Sequence, residues 1–199
     1  MGAPKVQSPV QLPSKQKAVM PGPDNEMAVR DDVPIPELEE GQVLIKTKAV
    51  ALNPVDTKMI GPFLTPGCTY GTDCAGEVIA LGSGVTALKI GDRVTSAARG
   101  MDKDRPYGGA FCEYVPLLAS TCIKIPDGMS YEDGASLTTA MASAAMAIFW
   151  AGGIDTKLLK QPAEKPATAL VYGGSSATGT MMIQVLKMSV QSQGVHELA

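Results

Sequence analysis

From Val43 to Ile125 the hydrophobic positions come in short, partly alternating runs closed by turn residues, the pattern of a β-rich domain. Val43–Val50 (VLIKTKAV) is one such run, and Glu77–Leu81 (EVIAL) follows the small pair Ala75-Gly76. Asp92–Thr95 follows Gly91, and Phe111–Val115 follows Gly108-Gly109. Cys122–Ile125 leads into Pro126-Asp127-Gly128, a strong turn signal. Strands this short and evenly spaced predict a small barrel rather than a helical bundle. Residues 1–16 hold no apolar run and are expected to be a flexible start.

The pattern changes at Met129. Ser130 is placed to cap a helix whose first turn carries Glu132 and Asp133, the charge that the helix dipole favours there. Gly134–Trp150 is dominated by Ala, Met, Ser and Thr and predicts one or two helices. Lys160–Pro166 (KQPAEKP) reads as a linker. Then come an apolar strand, Ala167–Tyr172, a glycine turn, and a helix over Ala177–Met188 with Met181, Met182, Val185, Leu186 and Met188 on one face. Strand, glycine turn, helix is the opening of a dinucleotide-binding fold. Ser189–Ala199 offers no second apolar strand, so the chain is expected to stop early in that fold. The domains read as 1–16, a flexible start; 17–130, a barrel; and 131–199, linking helices and the start of a nucleotide-binding domain.

Composition removes several classes of function. An apolar content of 45% and a mean hydropathy of +0.08 are those of a globular chain that buries a core. The net charge is −3, the sequence pI is near 5.2, and no Lys/Arg run appears, which argues against nucleic acid as a partner. Met1–Lys17 lacks the apolar stretch of a signal peptide, and Ala140–Trp150 is expected to be too short for a bilayer. The expectation is a cytoplasmic protein that does not enter membranes. Cys68, Cys74, Cys112 and Cys122 form no C-x-x-C pair, and the single histidine, His196, lies near the end of the chain. That set suits neither a structural nor a catalytic zinc site, so reduced, packed thiols and no metal are expected.

Three stretches carry chemistry. Gly173-Gly174-Ser175-Ser176-Ala177-Thr178-Gly179 offers glycines for close backbone approach, hydroxyls, and a helix N-terminus whose N–H groups suit a phosphate. Its spacing departs from G-x-G-x-x-G, and an ordinary tight turn accounts for it equally well by spacing alone. Asn53-Pro54-Val55-Asp56-Thr57-Lys58 places an acid and a base within reach of each other, as a solvated pair also would. Gly71–Gly76 (GTDCAG) reads as a structural turn ahead of a strand, with Asp73 on backbone amides.

Taken in order, LNPVDTKM, GTDCAGEVIALGSGVTALKIGDRV, GGAFCEYV and LVYGGSSATGT resemble the medium-chain dehydrogenase/reductase superfamily without zinc. Within it the chain resembles the fungal trans-acting enoyl reductases that serve polyketide synthases, from about Lys17 to Met188. The resemblance implies an α/β plus β architecture: a GroES-like β-barrel domain followed by the first strand and helix of an incomplete Rossmann domain. It implies that Val55, Asp56, Thr57 and Lys58 line NADPH, that Lys58 serves activity, and that Ser176, Ala177, Thr178 and Gly179 hold the cofactor phosphates. Ser143 falls where the family has a hydroxyl near the nicotinamide. Ala144, Ala145, Met146, Ala147, Ile148, Phe149, Trp150 and Ala151 fall where it forms the acyl pocket.

Thr138-Thr139-Ala140 departs from the more usual Pro-Ala-Gly of the family, and the loop that grips the 2′-phosphate has no counterpart after Met188. NADPH binding by the chain alone is therefore expected to be weak or absent. The implied reaction is NADPH-dependent reduction of an α,β-unsaturated acyl thioester presented by a polyketide synthase. The protein is expected to be a monomer when complete. The rivals are a quinone or enone reductase of the same superfamily, and a catalytically inactive remnant.

Overall fold

The structure, a computed structural model, describes residues 11–22, 26–159, 168–189 and 195–198. The linker expected at 160–166 and most of the expected flexible start lie outside them. The chain divides into two compact units, Met1–Thr138 and Thr139–Ala199. The division falls beyond the 130/131 boundary expected from the change in pattern.

The first unit opens with a hairpin of β1 (Lys15–Pro21) and β2 (Met27–Pro34). Lys15 and Gln16 thus belong to a strand and not to a flexible start. The strand hid from pattern reading because one of its inward positions is polar. Gln16 is buried beside Ala18 and Met20, and it is satisfied there: its Oε1 accepts from the Tyr114 amide at 2.8 Å.

The remaining strands are β3 (Gln42–Ala51), β4 (Asp73–Leu81), β5 (Arg93–Ala97), β6 (Tyr114–Leu118) and β7 (Ile123–Lys124). They form one antiparallel sheet in the order β6-β3-β4-β5-β7. The hairpin joins it through an Ala18–Cys112 bridge. Val43, Ile45, Val78, Val94, Val115 and Leu117 meet in the core with Cys74 and Cys112. All four cysteines are free, and burial pushes the Cys112 thiol up to about 12 and the Cys122 thiol up to about 11. Among the described residues no group of three His, Cys, Asp or Glu could hold a metal.

GTDCAG is not a turn ahead of the central strand but its beginning, since β4 starts at Asp73. Gly76 is required there: a Cβ would lie 2.4 Å from the Lys46 carbonyl oxygen, beside a bulge in β3 at Thr47/Ala49. The short helix α1 (Pro54–Lys58) follows β3. Past β7, Ser130 caps α2 (Tyr131–Ala135) as expected, accepting from the Asp133 amide at 3.0 Å. The helix packs on the barrel through Ala135 against Ala75 and Ile125, with Arg93 over the Tyr131 ring at 4.5 Å.

Helix α3 (Thr138–Ala145) starts on the last residue of the first unit and continues, in the second, as a π-helical turn over Met146–Ala151. Strand β8 (Ala169–Tyr172) leads through the glycine turn to α4 (Ala177–Ser189). A second strand follows, β9 (Val195–Leu198), parallel to β8 with Ala169 opposite Val195. This corrects the expectation of one strand only: VHEL is too short to show a period, and His196 lies in it. Ile148, Val171, Ile183 and Leu186 form the core of the unit. Ile183 thus replaces Met188, which is exposed, on the inward face of α4. The run Tyr131–Ala151, 21 residues with a mean hydropathy of 1.3 in its most apolar window, does reach membrane-spanning length and composition. The expectation that it was too short is corrected, although a core helix passes the same test.

Candidate functional site

In the first unit the site forms around α1. Pro54 sits at the first helical position, where its fixed φ fits and its missing N–H is not needed. The Asp56 carboxylate turns back and accepts from the Asn53 amide at 2.7 Å, while the Asp56 amide donates to the Asn53 carbonyl at 2.9 Å. Asp56 is therefore buried, at 5% exposure, rather than solvated beside Lys58. Burial pushes its carboxyl above the usual carboxylate range, the Asn53 amide opposes this, and the neighbouring Asp73 adds to the rise. Val55, Thr57 and Lys58 are exposed, the Thr57 hydroxyl donating to the Pro54 carbonyl at 3.0 Å. Among the described residues Lys58 makes no ion pair. The helix thus divides its residues: Asp56 builds the turn, while Val55, Thr57 and Lys58 are presented outward.

Both ends of α1 are tethered to the stretch that precedes and opens β4. The Asn53 side-chain amide donates to Asp73 Oδ2 at 2.8 Å and to Thr72 Oγ1 at 3.0 Å. The hydroxyl of Tyr70, a fully buried residue, donates to the Met59 carbonyl at 3.3 Å. The Thr138 hydroxyl donates to Asp73 Oδ1. Sequence reading named NPVDTK and GTDCAG separately and did not join them. Their signal was the Asn at the head of one motif and the Asp inside the other, both polar and beside apolar strands.

In the second unit the turn after β8 is shaped by its own atoms. Gly173 has φ +81°, open to glycine and strained for other residues. Ser176 precedes α4 and caps it: its hydroxyl accepts from the Gly179 amide at 3.1 Å and donates to the Gly173 carbonyl at 2.8 Å. Gly179 serves packing, because a Cβ would lie 2.2 Å from the Gly173 oxygen. The Thr180 hydroxyl donates to the Gly174 carbonyl at 3.0 Å. Ser175 stays exposed, and the amides of Ala177 and Thr178 open the first turn of the helix, where no intrahelical acceptor exists. Close backbone approach, outward amides and a positive dipole end are what a diphosphate needs, so the turn fits one.

The expected acyl-pocket residues divide. Ala144 and Ile148 are buried, Phe149 packs against the core of the second unit, and Ala145 is half-buried. Met146, Ala147, Trp150 and Ala151 are exposed, Trp150 at 79%. Met146 and Trp150 lie four residues apart on the π-helical turn and so share a face. Ser143 is exposed on α3. Lys58 belongs to the first unit and Ser176–Gly179 to the second.

Residues 39–127 match the alcohol dehydrogenase GroES-like domain. The chain is 52% identical over 178 residues to the trans-enoyl reductase buaC of Petromyces alliaceus, covering 89% of this chain and 50% of that protein. It is 41% identical over 188 residues to the trans-enoyl reductase ccsC of Aspergillus clavatus, covering 92% and 51%. Among solved structures, the quinone oxidoreductase of Coxiella burnetii superposes with a TM-score of 0.67 at 29% identity, covering 93% of this chain and 56% of that one. The CurK enoyl reductase gives 0.65 at 16% identity, over 90% and 53%, a likeness of fold. The chain spans about half the length of the curated relatives it matches. Residues 39–127 thus carry an alcohol dehydrogenase GroES-like domain, and over about nine tenths of its length the chain is similar to part of the fungal trans-enoyl reductases.

Proposed function

We propose that this chain carries part of the site of a trans-acting enoyl reductase, which uses NADPH to reduce an α,β-unsaturated acyl thioester held on a polyketide synthase in secondary metabolism. The observation that carries the reading is the presence, on one chain, of an outward-facing Val55-Thr57-Lys58 turn and of a glycine turn followed by the Ala177 and Thr178 amides of the first turn of α4. NADPH, when bound, supplies the hydride for the β-carbon of the substrate. The residues of the chain bind and orient. In the second unit, Gly173 and the amides of Ala177 and Thr178 receive the diphosphate, with Ser176 and Gly179 fixing the turn. Lys58 offers a cation to cofactor phosphate or ribose, and Ser143 a hydroxyl on the nicotinamide side. Met146, Ala147, Trp150 and Ala151 offer apolar surface to the acyl chain. Residues 17–130 act as the catalytic barrel and 131–199 as the start of the nucleotide-binding part of a cytoplasmic protein, monomeric when complete.

The substrate class is tested by supplying millimolar NADPH with either a pantetheine enoyl thioester or a quinone and following loss of absorbance at the nicotinamide band. Turnover of the thioester alone supports the proposal. Turnover of the quinone in its place identifies the quinone reductase of the same superfamily, a reading favoured by the 29% identity to such an enzyme. Turnover of neither leaves the inactive remnant.

A further inference from the structure

The mechanism leaves one buried acid without a task. Asp73 is 1% exposed, at the first position of the central strand, with Ala51 opposite it on β3 and Ala97 on β5. A carboxylate in such a place contributes less to stability than an apolar side chain of its size unless it fixes a geometry. Its two oxygens point to different segments: Oδ2 accepts from the Asn53 side chain at 2.8 Å and Oδ1 from the Thr138 hydroxyl. Asn53 heads α1, which presents Lys58, and Thr138 is the first residue of α3, which carries Ser143. Strand β4 is paired on both sides, with β3 and with β5, so the carboxylate stands on a backbone held from both edges.

We infer that Asp73 is a positioning residue, holding Asn53 and Thr138 in place and thereby fixing the α1 turn that presents Val55, Thr57 and Lys58. The inference gives that turn its reason for being where the proposed function needs it, and it rests on that function only for its purpose. The Thr138-Thr139-Ala140 segment, which departs from the common family pattern, supplies the Thr138 donor. A proline at 138 would remove it.

Hydrogen exchange of the full chain, without cofactor, tests the inference. In Asp73→Ala the amides of Asn53 and Met59 are expected to exchange on the order of tenfold faster, the effect of one lost hydrogen bond to a charge. Those of Ile45 and Val78, in the sheet, keep their rates. Thr138→Val accelerates the same α1 amides and Thr138→Ser restores them, because only the hydroxyl matters. Unchanged α1 amides, or equal acceleration in the sheet, overturn the inference. If Asp73→Ala does not fold, Thr138→Val against Thr138→Ser decides by the same criterion. Failure of the unsubstituted chain to bind NADPH overturns the proposed function alone, since the exchange rates are read without it.

Discussion

The barrel and the second unit solve burial in opposite ways. In the barrel, β4 is covered on both faces: seven of its nine residues are buried and the other two partly so. Asp73 and the neighbouring Thr95 are buried there with partners. In the second unit, β8 buries Val171 against α4 but leaves Leu170 67% and Tyr172 89% exposed. A parallel strand of this kind is ordinarily covered on both sides. The barrel is thus a finished core within the described residues, whereas β8 shows its second apolar face to solvent. Site residues follow the same division: the α1 turn is tethered at both ends to the barrel, while the Ser176 and Thr180 hydroxyl bonds of the glycine turn run within residues 173–180.

That contrast can be broken by substitution. Ile45→Ala, in the barrel core, is expected to cost about 2–5 kcal/mol in denaturant unfolding, the largest effect here. Gly179→Ala drives a methyl into the Gly173 carbonyl and is expected to cost about 1–3 kcal/mol, confined to the second unit. Ser176→Ala removes the cap of α4 at about 1 kcal/mol, seen as faster exchange of the Gly179 amide. Tyr172→Ser changes unfolding by less than about 0.5 kcal/mol, because the side chain is already in water. A large loss there would mean that the second face of β8 is covered after all.

A pH experiment sharpens the barrel side. Burial raises the Asp56 carboxyl above its unfolded value, so the folded state keeps that proton where the unfolded chain has released it. Its contribution is full below the unfolded value and is lost as pH rises through the raised folded value. Asp32 and Asp92 are shifted the opposite way, so the comparison must be a difference. Asp56→Asn is expected to remove the falling component between about pH 4 and the raised value, leaving their rising one. Equal pH slopes in the two proteins would contradict the burial of Asp56.

Much of this was legible in the residues. The runs around Val43, Glu77 and Asp92, the Ser130 cap and the strand–glycine–helix order stand close to where pattern placed them. Hairpin β1–β2 was not legible, because buried Gln16 breaks the apolar alternation and its partner, the Tyr114 amide, is distant in sequence. The same cause hid the Asn53–Asp73–Thr138 link: local rules treat an Asp beside glycines as a turn former, and only the folded sheet brings Asn53 and Thr138 to it. Strand β9 is defined by pairing with β8, which four residues of mixed polarity do not announce. At Gly179 the structure shows a close approach that spacing alone does not announce, a Cβ there meeting the Gly173 oxygen as α4 packs on the turn.

The central claim is that the glycine turn receives a dinucleotide diphosphate, and an NADPH titration of the isotopically labelled chain followed by amide resonances tests it most directly. The account predicts weak, about millimolar, binding whose shifts centre on Gly173–Thr180. Saturating NADPH that leaves the 173–180 amides unmoved would contradict it.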